Sequence, residues 1–196
     1  MRKTILVLAF LAAAFGAQTT PIRARGVANA PILLEVYSDY QCPACKALYE
    51  NTLVPLMSDY VDRGKVYLIH HELPITQLHP HAMEAACYAL AANRVGKYEQ
   101  AGEVLFRQQD VWAANGKVDE TVCSILSPAD AKKVRALAKD PAILAEVQLD
   151  MQTAQGNKVD GTPTIILTHR LKQYRIPGAA SYDLVRRFID QLLAQN

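Results

Sequence analysis

Residues 38 to 50 read SDYQCPACKALYE. Two cysteines, Cys42 and Cys45, stand one helical turn apart, and Pro43 follows the first of them directly. The run before them, Ile32-Leu33-Leu34-Glu35-Val36-Tyr37, is short and apolar with one carboxylate, which predicts a buried strand. After Pro43 the apolar residues Leu48, Leu53, Leu56 and Met57 fall at helical spacing, with Pro55 placed to kink or divide the helix. A second strand, residues 65–71, follows a turn at Gly64. Strand, helix and strand at these spacings make a βαβ unit, with parallel pairing and a right-handed crossover. A cysteine at the junction of strand and helix lies beside unsatisfied backbone N–H groups and the positive end of the helix dipole. Both favour thiolate over thiol.

The region from about 80 to 157 carries almost no strand pattern. Met83, Ala86, Cys87, Leu90 and Ala91 repeat at helical spacing, and Val104, Leu105 and Trp112 suggest further helix. Ser127-Pro128 and Asp140-Pro141 each put a capping residue before a proline at the first helical position. The whole stretch reads as a helical insertion. The β pattern returns at residues 164–168 and 172–176, and residues 181–194 read as a closing amphipathic helix capped by Ser181.

At 196 residues, half of them apolar, the chain is long enough for one good core. The N-terminus, Met-Arg-Lys followed by apolar residues 5–15, has the form of a secretory signal peptide, with cleavage expected after Gly16. The apolar stretch is too short to span a bilayer. Residues 1–16 are thus expected to be a signal peptide, 17–30 a linker, and 31–196 one domain. Arg23 and Arg25 fall in the linker. Without Arg2 and Lys3, the 21 basic residues drop to 19 against 19 acids. No basic stripe interleaved with aromatics appears, so a nucleic-acid partner is not expected.

Export bears on the four cysteines, because outside the cytoplasm paired thiols oxidise unless kept reduced. An exposed acidic thiol with a second thiol one turn away is what thiol–disulfide exchange requires: Cys42 attacks or is attacked, and Cys45 closes the ring. A zinc site would need a second ligand pair, and Cys87 and Cys123 are far apart and each alone. A structural disulfide across so short a loop adds little. His70-His71 and His79-Pro80-His81 read as strand-end and loop features rather than metal ligands. No cofactor is expected. Downstream, VDGTPTIIL sets Thr162-Pro163 before a strand, either as an edge device or as a cis-proline packed on the active cysteines. In the second case the Thr162 backbone would face a bound substrate chain, which could pair with it like an added strand.

Together, EVYSDYQCPACKALYE, LPITQLHPHAMEAACYAL, the stretch from Leu105-Phe106 to Trp112, and VDGTPTIIL with Gly178 resemble the exported DsbA-like thiol–disulfide oxidoreductases. The resemblance runs from Pro31 to the C-terminus. It implies an α/β thioredoxin-like fold with an inserted helical subdomain, and a periplasmic or extracytoplasmic enzyme that passes a disulfide to reduced, unfolded exported proteins. It also implies reoxidation by a membrane quinone-linked partner of the DsbB or vitamin K epoxide reductase type. A monomer is expected.

The sequence departs from that pattern in three places. Pro43-Ala44 stands where the best-known oxidants have Pro-His, which removes one cation or donor near the Cys42 sulfur and should leave its pKa less depressed. Thr162 precedes the position that the resemblance makes a cis-proline, and its hydroxyl is expected as a hydrogen-bond partner for the sulfur. Glu35 lies seven residues before Cys42 rather than six, so strand alternation would turn it to the opposite face unless a bulge intervenes. Its role as proton acceptor for Cys45 stays open against that of a plain edge carboxylate. Tyr40 and Gln41 are expected to form the apolar and polar rim of Cys42, and Trp112 the core of the insertion.

Some relatives carry a second disulfide in the insertion. A Cys87–Cys123 bridge is accordingly expected, against two buried thiols; closing about 37 residues would stabilise by roughly 3 to 4 kcal/mol. Two rival functions remain: a reductase or isomerase, and a non-catalytic copper or thiol-binding module using the cysteine pair as soft ligands.

Overall fold

The computed structural model describes residues 23–195. The expected signal peptide therefore lies outside the described residues. The sheet contains β1 (Ala24–Arg25), β2 (Ile32–Ser38), β3 (Val66–Glu72), β4 (Thr164–His169) and β5 (Lys172–Pro177), in the order β1-β3-β2-β4-β5. β2 is central. It runs parallel to β3, with Val36 beside His70 and Ser38 beside Glu72, and antiparallel to β4.

Part of the segment expected to be linker is structured. Ala24 and Arg25 pair antiparallel with Ile69 and Leu68, and the His70 amide donates to the Arg23 carbonyl. Two residues carry too little periodicity to announce a strand; the exposed edge of β3 supplies the template. The Arg23 guanidinium is ion-paired with Asp150, which fastens this edge to the helical region.

From β2 the chain enters α1 (Pro43–Leu48) and α2 (Val54–Leu56), joined and followed by two wide π-helical turns, Tyr49–Leu53 and Met57–Val61. Pro55 lies between them and has no N–H to donate, so the segment divides instead of breaking. Alternation along β2 sends Ile32, Leu34 and Val36 into a core with Leu48, Leu53 and Leu56. The closing helix α9 (Tyr182–Leu193) adds Val185, Ile189 and Leu192 to it, and starts at Ser181, whose hydroxyl accepts the Leu184 N–H. On the other face Tyr37 packs with Ile166, Leu73 and Ala154.

Between β3 and β4 come six helices: α3 (Ala82–Asn93), α4 (Tyr98–Arg107), α5 (Gln109–Asn115), α6 (Val118–Cys123), α7 (Pro128–Leu137) and α8 (Pro141–Gly156). Ser127 and Asp140 cap α7 and α8, accepting the Asp130 and Ala142 N–H groups at 3.1 and 2.9 Å. An alanine-rich α3 lets its neighbours approach closely. Trp112, fully buried, fills the centre and donates its indole N–H to the Leu105 carbonyl at 2.6 Å. The cluster around Trp112 includes Tyr40, Cys42 and Cys45, so helical region and active loop share one core.

Candidate active site

Cys42 sits at the carboxyl end of central strand β2 and is the N-terminal flanking residue of α1, in extended conformation, with Pro43 at the first helical position. The Cys45 and Lys46 amides donate to the Cys42 carbonyl, closing the first turn. Both thiols are free. Cys42 keeps 8 % of its surface exposed and Cys45 only 1 %, so a large substrate reaches one sulfur and not the other.

The electrostatics divide the pair in the same sense. The Cys42 thiol is lowered to about 6, chiefly by the hydrogen bond from the Cys45 thiol. Burial opposes this, while the Cys45 amide, the Thr162 side chain and the Ala44 amide add to it. Cys45 is pushed far above an ordinary thiol by burial first and by its hydrogen bond with Cys42 second. Against that burial, the Asp39 amide donates to the Cys45 sulfur at 3.4 Å and the Ser38 side chain offers a further hydrogen bond. A sulfur that is thiolate near neutrality, above one held as thiol, is a nucleophile with its resolving partner.

The Thr162–Pro163 peptide bond is cis, and Pro163 is buried at the start of β4. The Cys42 thiol donates to the Thr162 carbonyl at 3.7 Å. Thr162 and Cys42, 120 residues apart in the chain, thus share the rim of one site. Ala44 is exposed on the α1 surface.

Other expected site residues lie elsewhere. Glu35 does not face the cysteines: strand alternation holds without a bulge, and Glu35 accepts from His71 Nε2 at 3.0 Å on the opposite face of the sheet. Tyr40 is not rim but core. It is 2 % exposed, stacked on His70 and tilted against Phe106. Gln41 accepts the His81 N–H at 2.7 Å, joining the active loop to the start of α3.

Cys87 and Cys123 are not bridged. Cys87 packs among Leu90, Ile143 and Val147 toward α8, whereas Cys123 turns its thiol to Asp119 at 3.0 Å. Burial pushes both thiols up to about 11.

Two contributors carry no local sequence signal. Gln109, on α5, donates its side-chain amide to the carbonyls of Tyr40 (2.7 Å) and Cys42 (3.0 Å), which holds the loop from the insertion side. Glu72, one strand over from Ser38, is buried beneath Tyr40 and accepts from the Tyr98 and Tyr40 hydroxyls at 2.7 and 3.3 Å. Burial raises its carboxyl to about 8, with Asp150 adding and Arg23 opposing. A cavity of about 430 Å³ lies between β1, β3 and α4, lined in part by Tyr40, His70 and Tyr98 but by neither cysteine. Its wall includes His70, which burial holds neutral with a pKa of about 3.

Comparison with known proteins agrees with this geometry. The family model described as thioredoxin matches residues 18–191. Disulfide bond formation protein D of Bacillus subtilis is 23 % identical over 177 residues, covering 86 % of this chain and 75 % of that protein. A Salinispora tropica protein named Na(+)/H(+) antiporter NhaA 3 is 28 % identical over 146 residues, 74 % of this chain; the chain spans only 21 % of that protein's length. Among solved structures, Wolbachia pipientis alpha-DsbA1 superposes with a TM-score of 0.74 at 17 % identity, covering 89 % of this chain and 92 % of the other. With a family model matched over nearly the whole described chain and the cysteine pair at its strand–helix junction, the protein belongs to the thioredoxin family.

Proposed function

We propose that the protein introduces disulfide bonds into reduced, unfolded exported proteins by exchange through Cys42 and Cys45. The observation that carries this reading is the division between the two thiols: Cys42 is partly open with its pKa near 6, and Cys45 is enclosed with its pKa raised. In the oxidised enzyme a substrate thiolate attacks the Cys42 sulfur. The Cys42–Cys45 bond breaks, and Cys45 leaves as thiolate and takes a proton. A second substrate thiolate then attacks the substrate sulfur of the mixed disulfide, forming the client's bond and expelling Cys42. Cys42 is the better leaving group of the two because its thiolate is the stabilised one. The Thr162 backbone at the rim offers an extended client chain a strand-like partner beside the reacting sulfur.

No helix among the described residues is long and apolar enough to cross a membrane. We assign the protein to the periplasmic or extracytoplasmic space as a monomer, reoxidised by a membrane quinone-linked enzyme of the DsbB or vitamin K epoxide reductase type. The test is the equilibrium potential of the Cys42–Cys45 pair in glutathione buffers. A value near that of DsbA, about −120 mV, makes it a donor; a value near that of thioredoxin, about −270 mV, makes it a reductant and overturns the oxidase reading.

A further inference from the structure

Asp39 lies between β2 and Cys42, and its side chain is fully buried. One carboxylate oxygen accepts the Gln41 N–H at 2.7 Å. The other accepts the Ile75 N–H at 2.8 Å and the His79 Nδ1–H at 2.7 Å. The backbone of the same residue touches both cysteines: its carbonyl accepts the Cys42 N–H at 3.1 Å, and its N–H donates to the Cys45 sulfur at 3.4 Å. The loop carrying His79 is held in parallel by Leu73 N–H on the Ser38 carbonyl and by Gln41 on the His81 N–H. One buried carboxylate thereby fixes the peptide units flanking the redox pair to the segment between β3 and α3.

We propose that Asp39 and His79 are positioning residues for the resolving step, holding the Asp39 amide against the Cys45 sulfur. Cys45 sits in a closed, desolvated place, where a fixed N–H is worth far more to a developing thiolate than the same group in water. Without His79, one oxygen of Asp39 loses a donor and the loop loses its tie to the α3 side, so the amide is no longer held at bonding distance. The cost falls on chemistry at Cys45. Attack at Cys42 depends on its own thiolate and on the helix start; the clamp meets Cys42 only at its backbone N–H, whereas at Cys45 it supplies a donor to the sulfur itself.

This inference deepens the reading of Cys42–Cys45 exchange and rests on it. The two steps separate when the reduced full-length mature protein is mixed with oxidised glutathione. In the first, the Cys42 thiolate attacks a glutathione sulfur, forming the mixed disulfide and releasing one glutathione thiolate. In the second, Cys45 gives its proton to solvent and attacks the Cys42 sulfur. The Cys42–Cys45 bond forms as the bond to glutathione breaks, and the second glutathione leaves as thiolate and is protonated. The pair is oxidised by two electrons and the glutathione disulfide reduced by two.

Quenched-flow alkylation with mass spectrometry reads both rates. His79→Ala is expected to slow the second step about tenfold, as befits a weakened bond to a charged sulfur, and to change the first by less than twofold. His79→Asn returns a donor to the position of Nδ1 and is expected to recover most of the second rate. Should His79→Ala fold poorly, His79→Leu keeps the volume without the donor and takes its place. An unchanged second step, an equal loss in both steps, or no recovery with Asn overturns the proposal. A wild-type potential near that of thioredoxin would overturn the oxidase direction alone, because closure by Cys45 belongs to exchange in either direction.

Discussion

Alkylation of the reduced, folded protein with iodoacetamide, followed peptide by peptide across pH, isolates the Cys42 thiolate. With a pKa of about 6, Cys42 is about nine-tenths thiolate at pH 7 and about one-tenth at pH 5, so its rate should fall about tenfold between them and be flat above pH 7. An ordinary thiol at 9.0 would lose about a hundredfold over the same interval and still be rising at pH 8. Cys87 and Cys123, near 11, should label about a thousandfold or more slowly at pH 7. The variant Cys45→Ala removes the largest cause of the depression, so its Cys42 inflection should move upward. The same thiolate stabilises the reduced fold. Because the folded pKa lies below the unfolded one, this stabilisation is complete above pH 9 or so and vanishes as pH falls through about 6. At pH 7, one unit above the folded value, it is at most about 1.4 kcal/mol, and solvent screening at the open rim reduces it further. An inflection for Cys42 above pH 8, matching that of the unfolded chain, would refute the reasoning.

Glu72 works in the opposite sense. Its folded pKa of about 8 favours the neutral acid, so the fold loses stability as pH rises from about 4.5 to 8. Glu72→Gln should remove that slope and stabilise by on the order of 3 kcal/mol at pH 7; parallel urea-midpoint curves for the two proteins would contradict this. For the insertion cysteines, oxidised protein unfolded in denaturant without reductant should show two thiols per chain to a thiol reagent, from Cys87 and Cys123. A count of zero would restore the bridge between them.

Local chemistry in the sequence announced the frame of the molecule. Proline after a capping Ser or Asp marked α7 and α8, a short apolar run with one carboxylate marked β2, and a cysteine pair at a strand–helix junction marked the active turn. Glu35 illustrates the strength of such rules, because the one-residue offset noted from spacing does turn it away from Cys45. What escaped was whatever depends on two distant segments meeting. Gln109 and Glu72 act through contacts 67 and 32 residues away in sequence, and nothing around either residue announces the partner. Tyr40 looked like rim from its place beside Cys42, yet α4 closes over it. The expected Cys87–Cys123 bridge rested on compartment and relatives, whereas burial and helix facing direct the two side chains to different neighbours. His79 read as a loop histidine, and its chemistry appears only when Asp39 is beneath it.

Gly102 gives α4 a consequence beyond packing. A β-carbon at that position would stand 3.4 Å from the Tyr40 hydroxyl and 3.5 Å from its ring, in ordinary van der Waals contact. The bare backbone of α4 therefore acts as a spacer of fixed thickness under the ring, and Tyr40 is two residues from Cys42. A methyl there would fill the gap against the ring, and only a longer side chain would press on Tyr40 and on the loop that it supports. The floor on which the active loop rests is thus shaped in part by a small residue on a helix sixty residues downstream.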